Sequence, residues 1–137
     1  MLETTLSSLA GLPAFLAYFA LAIVLLLIFI RVYTWVTPQD ELALIRANNT
    51  SAALAFGGAL IGFAWPLSSA ITNSLSLVDC AIWGAVALVV QVLTFVVLRF
   101  SLKQLPERIT QGEVAAGAFS GAAAIAVGML NAACMTY

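Results

Sequence analysis

Four stretches of this chain carry no charged side chain: residues 4–30, 47–78, 80–98 and 114–137. A helix needs about 20 residues to cross a hydrocarbon core of roughly 30 Å, and each stretch supplies about that many. In lipid the backbone must satisfy its own hydrogen bonds, which leaves helices or a closed barrel. The runs are continuously apolar and lack the in–out alternation of barrel strands, so helices are expected. Composition agrees, with 64% hydrophobic and 8% charged residues, where a soluble domain carries about 25% charged. A water-soluble fold of 137 residues has too little interior to hide that much apolar surface.

The expected fold is an all-α membrane protein, one membrane domain over 1–137, with transmembrane helices at 13–34, 51–72, 79–99 and 113–134. Residues 1–11 contain no basic residue, only Glu3, so the first run reads as a retained helix, not a cleaved signal. Arg31 and Arg46 bracket the first connection, and Arg99, Lys103 and Arg108 serve the third. The other ends have no Lys or Arg. The positive-inside rule therefore puts loops 35–50 and 100–112 in the cytoplasm and both termini outside. Tyr33 and Trp35 fit the inner interface and Trp83 and Tyr137 the outer one, while Tyr18 and Trp65 are expected between helices.

The loops carry helix-start signals. Thr37-Pro38 reads as an N-cap with proline in the first turn, and Asp40 and Glu41 suit the positive end of a helix dipole over 38–46. Asn48-Asn49-Thr50 is expected to end that segment and cap the second span. Pro106-Glu107 begins a similar turn, and Thr110 with Glu113 has capping-box spacing for the fourth span.

The second and fourth spans align at a shift of 63 residues: AALAFGGALIGFAWPLSSA at 52–70 against AAGAFSGAAAIAVGMLNAA at 115–133. Both halves run apolar span, basic loop with a proline, small-residue span. The expected units are two tandem two-helix hairpins, 13–72 and 79–134. An even number of spans per unit makes this a parallel repeat about an axis along the membrane normal.

Small residues form stripes. Ala55, Gly58, Gly62, Pro66, Ser69 and Asn73 share one face of the second span, and Gly117, Gly121, Ala124, Gly128 and Asn131 one face of the fourth. Gly58-x-x-x-Gly62 and Gly117-x-x-x-Gly121 have the spacing that lets helix backbones approach. The second and fourth helices are thus the expected core, within one chain or between chains. The first and third, richer in large apolar residues, are expected outside. Pro66 cannot donate to Gly62 and predicts a kink. Ser68, Ser69, Thr72 and Asn73 lie beyond it, and Asn131 matches Ser68 in the repeat, with Cys134 and Thr136 following. Gln91 and Thr94 are the polar residues deep in the third span. Ser68, Ser69, Asn73, Gln91 and Asn131 are the candidate polar patch or ligand contacts. Helix cross-linking is the plainer reading of the same residues.

Cys80 and Cys134 make no CxxC motif and read as free core thiols, with a disulfide as the alternative because both fall near one membrane face. There is no histidine. Common zinc and haem ligand sets are therefore missing, and no cofactor or metal is expected. No phosphate-binding glycine loop, nucleophile elbow or paired catalytic acid is present, nor a basic surface for nucleic acid. Mid-membrane carboxylates, the usual proton relays, are absent.

Three segments resemble the YjfL family of small bacterial inner-membrane proteins: PQDELALIRANNTSAALAFGGALIG at 38–62, WPLSSAITN at 65–73 and NAACMTY at 131–137. The resemblance covers nearly the whole chain. It implies a four-spanning inner-membrane protein built from a two-helix domain of unknown function, and it carries no substrate, cofactor or catalytic residue. The expected role is a non-enzymatic component surrounded by membrane lipids that assembles with its own copies or supports a membrane-protein partner. The alternative is an oligomeric channel or transporter component for an ion or small solute.

Overall fold

The structure, a computed structural model, describes residues 1–135. Its elements are α1 (Leu2–Ala10), α2 (Leu12–Val36), α3 (Glu41–Arg46), α4 (Thr50–Asn73), α5 (Leu77–Ser101), α6 (Leu105–Thr110) and α7 (Val114–Cys134). Four helices are long and apolar enough to span a membrane: Leu2–Val36, Thr50–Asn73, Leu77–Ser101 and Val114–Cys134. The expected spans end within three residues of α2, α4, α5 and α7. The first is extended by α1, which joins α2 at Gly11. At about 1.5 Å per residue, those 35 residues exceed a roughly 30 Å core, and no α1 residue is buried.

The short helices α3 and α6 lie at one end of the bundle, here called the loop end. α3 is capped by Asp40, whose Oδ1 accepts from Ala43 N at 3.3 Å. Thr37 instead closes α2, its N–H bonded to Tyr33 O. This corrects the expected cap: α2 runs to Val36 and uses Thr37 for its own end. Asn49 caps α4 as expected, accepting from Ala52 N at 3.0 Å, and its Nδ2 also donates to Ile109 O and Thr110 O. The capping box expected at Thr110 does not form. Thr110 is the last residue of α6 and bonds back to Pro106 O at 2.8 Å, leaving Glu113 as the N-cap of α7. At the far end, Ser76 Oγ accepts from Asp79 N while Asp79 accepts from Leu75 N, a reciprocal start for α5.

α4 and α7 form the most extensive helix pair, and they run in the same direction. Near their starts Ser51 Oγ donates to Glu113 O at 2.7 Å, and near their ends Ser69 Oγ donates to Ala132 O at 3.1 Å. Between these points glycines bring backbone onto backbone. A Cβ on Gly58 would strike Gly121, one on Gly62 would strike the Ala124 carbonyl, and one on Gly128 would strike Gly62. The small-residue stripes are therefore spent inside one chain. α4 continues as a helix through the buried Pro66. The Gly62 carbonyl, deprived of the proline N–H, lies against Gly128, where a side chain would collide with it.

α5 packs on both α4 and α7 with a narrow face while Ile82, Val89, Leu93 and Val97 stay exposed, so it flanks the α4–α7 core as expected. Cys80, Gly84, Ala87, Gln91 and Phe95 recur every three or four residues and are all buried. α2 joins through Leu25, Phe29 and Tyr33. Leu25 fills the space left by Gly84, where a Cβ would come within 2.7 Å of Leu25 Cδ1. Phe29 stacks on Phe63 with centroids 4.5 Å apart, and Tyr33 meets Phe56 and Phe95 at 5.9 and 5.7 Å. Tyr33 is thus buried inside the bundle near the end of α2. Trp35 is exposed, and Trp83 is half-buried against the core. Trp65 is exposed and does not pack between helices as expected; it borders a surface hollow beside Met129 of α7. Tyr137 and Thr136 lie outside the described residues.

Candidate functional site

The far-end polar residues come together only in part. Ser68, Ser69, Thr72 and Asn73 line a surface hollow with Trp65, Met129, Ala132 and Ala133. Their hydrogen bonds are mostly spent on the helix. Thr72 Oγ1 donates to Ser68 O at 3.0 Å, and Asn73 Nδ2 donates to Ser69 O and Ser69 Oγ at 2.9 and 3.2 Å. Ser69 reaches across to α7 through Ala132 O.

Gln91 lies elsewhere, at the junction of α4, α5 and α7. Its Nε2 donates to Ala124 O at 3.1 Å, and its Oε1 has no partner and would stand 2.9 Å from a Cβ on Gly62. Thr94 bonds back to Val90 O at 2.8 Å. Asn131 is half-buried with an unpartnered Nδ2 and does not line the hollow of Ser68, Ser69 and Asn73. The two cysteines differ and are both free. Cys80 is a core thiol as expected. Cys134 is exposed, a correction that follows from its place on the outer side of the last turn of α7.

The α4–α7 seam has two unlike sides. One is covered by α5. The other opens as a shallow groove lined by Ala53, Leu54, Gly57, Ile61, Ala118, Ala122 and Ile125, with Gly58 and Gly121 at its floor. Gly57 faces this groove and a Cβ there would meet nothing within 4 Å. A helical glycine costs about 1 kcal/mol relative to alanine. Gly58 uses that cost for contact with α7, and Gly57 gains no contact in this chain.

Sequence reasoning missed the loop-end group. Gln39 and Glu41 are buried, and Gln39 Oε1 and both Glu41 carboxylate oxygens lack hydrogen-bond partners. Helical spacing marks Leu25, Phe29 and Tyr33 on one buried face of α2, but that helix ends at Val36, and the non-helical turn at 37–40 sets the burial of Thr37, Gln39 and Glu41. Arg108 and Glu113 pair at 3.2 Å near the surface, a contact that adds about 0–1 kcal/mol.

A family profile described as Domain of Unknown Function (DUF350) matches residues 7–135. The chain is 46% identical over 127 residues to the UPF0719 inner membrane protein YjfL of Escherichia coli (strain K12), covering 93% of this chain and 96% of that protein. The YjfL protein of Escherichia coli O157:H7 matches to the same extent. The UPF0719 transmembrane protein YshE of Bacillus subtilis (strain 168) is 27% identical over 84 residues, 61% of this chain and 63% of that one. No solved structure matches. The chain belongs to the YjfL/UPF0719 family, defined by the DUF350 domain, and is a multi-pass inner-membrane protein.

Proposed function

We propose that this member of the DUF350 family is a non-enzymatic membrane component that assembles with further copies of itself through the open side of the α4–α7 seam. The observation that carries this reading is Gly57, a glycine on a membrane helix that faces open space beside Ala53, Ala118 and Ala122. Association in lipid gains little from hydrophobicity and depends on close packing, so small residues collect where another helix is to lie. The neighbouring Gly58 and Gly62 are already occupied by α7, so a second copy would use the Gly57 face.

The inferred orientation has the loop end, with its five basic residues, in the cytoplasm and both termini on the periplasmic side. The inferred internal order is a parallel repeat of two hairpins. Gly58 meets Gly121, and Ser69 meets Ala132, each pair separated by the 63 residues of the sequence shift.

A channel or transporter component is the second reading, favoured by the far-end hollow at Ser68, Ser69, Thr72 and Asn73. The seam between α4 and α7 is closed by backbone contact, so a solute path would run between copies.

Cross-linking in native membranes tests the assembly. Single cysteines at Ala53 or Ala118, in a background with Cys80→Ala and Cys134→Ser, are expected to link copies, and one at Leu16 on the exposed face of α2 is not. Failure of both groove positions would count against the reading. Flux in proteoliposomes, lost in Ser69→Leu or Asn131→Leu with folding retained, would favour the second.

A further inference from the structure

The turn that follows α2 leads into a buried carboxylate. Glu41 is 1% exposed and Gln39 6%. Three acceptor oxygens, Gln39 Oε1 and Glu41 Oε1 and Oε2, are buried without a well-formed hydrogen bond, the Thr37 hydroxyl and the Glu41 N–H being the donors near the carboxylate. A buried anion with no counter-charge is unfavourable by several kcal/mol, so such a group neutralises itself or is paired.

No counter-charge is in place. The one ion pair among the described residues is Arg108–Glu113. α4, on which α3 packs, carries no ionisable residue from Thr50 to Asn73. Arg46, at the other end of α3, is exposed, as is Arg31. The ionisable groups that bear on Glu41 are Tyr33 of α2 and the adjacent Asp40, and α6 places a further acid, Glu107, in a hollow shared with Gln39. Asp40 is itself engaged as the α3 cap and brings more negative charge.

We propose that Glu41, beside Thr37 and Gln39, is a proton-binding site at the loop end of the bundle, occupied while α3 is docked. Protonation removes the buried charge and converts one acceptor oxygen into a donor, which suits a cluster of three poorly satisfied acceptors. Divalent cations call for more carboxylates than this place offers. Burial pushes the Glu41 carboxyl up from the ordinary carboxylate range, and Asp40 adds to the push. The nearby Thr37 hydroxyl and the Glu41 backbone N–H oppose it only in part.

The linkage has a definite sign. A carboxyl whose folded-state value is raised holds its proton more tightly folded than unfolded. Its contribution to α3 docking is fully present below the ordinary carboxylate range and is lost as pH rises through the raised value. On the orientation inferred above, the proton would come from the cytoplasm, but ionisation of the site does not depend on that orientation.

The test is a carbon-13 NMR titration of the side-chain carboxyls in the full chain, labelled at glutamate and held in lipid nanodiscs. The four glutamates are Glu3, Glu41, Glu107 and Glu113. One signal, missing in Glu41→Gln, is expected to titrate clearly above the other three. Its midpoint should stay in place when sodium or potassium replaces N-methyl-glucamine at constant ionic strength. Should Glu41→Gln not fold, Glu41→Asp removes the same signal and serves for the assignment. A Glu41 midpoint grouped with the other three overturns the proposal. A midpoint that falls by about one pH unit per tenfold rise in sodium or potassium overturns it too, because the site would then take an alkali cation in the proton's place.

Discussion

The α4–α7 pair and the α2 flank bury their residues on opposite terms. In α4, 50% of the most apolar window is buried, whereas in the segment containing α2 only 11% is, although that segment is the more apolar. Leu16, Phe19, Leu27 and Ile28 of α2 are exposed, while Gly58, Gly62, Gly121 and Gly128 are enclosed. In water this would be an inverted core. In lipid it follows from the solvent, because a leucine gains nothing by leaving acyl chains and a glycine lets two backbones touch. At the α4–α7 seam size, not hydrophobicity, decides which residues face inward, whereas α2 joins the bundle through the large side chains of Leu25, Phe29 and Tyr33.

That contrast can be broken most severely at Gly128. Gly128→Leu drives a side chain into the Gly62 backbone, which cannot move aside as a flexible side chain can. A loss of about 3 kcal/mol, the upper part of the overpacking range, is expected from reversible unfolding in mixed micelles. Phe63→Ala comes next. It removes the ring stacked on Phe29, and with no water-transfer term only the cavity and lost dispersion remain, roughly 2 kcal/mol. Gln91→Leu removes the donor to Ala124 O at the three-helix junction, and about 1 kcal/mol is expected in the same assay. Leu27→Ala on the exposed face of α2 should stay within about 0.5 kcal/mol of the parent. If Leu27→Ala cost as much as Phe63→Ala, α2 would be packed against something other than lipid.

The helices and the seam were legible for the same physical reason. Charges fall only where water or headgroups reach, and glycines at four-residue spacing mark backbone approach. The inward face of α5 was harder to read because Leu, Val and Ile crowd its lipid side. The narrow stripe Cys80, Gly84, Ala87, Gln91, Phe95 holds the information, and large neighbours mask it. Gln91 and Asn131 could be recognised as polar groups in lipid, but their partners depend on helix rotation, which a single sequence leaves open. Glu41 looked like an ordinary first-turn acid. Its burial depends on the turn at 37–40 that folds α3 back onto α4, which no helical register predicts. Gly57 and Gly58 are alike in sequence, and only the fold separates the closed glycine from the open one.

The most direct test of the account is the protein mass of the purified particle in mild detergent, corrected for bound detergent, for the parent chain and for Gly57→Leu. One chain is 14.4 kDa. The account predicts a multiple of that mass for the parent, and a single-chain mass with unchanged helix content for Gly57→Leu. A parent that runs as one chain, or a Gly57→Leu particle that keeps the parent's mass, would contradict assembly through the open side of the seam.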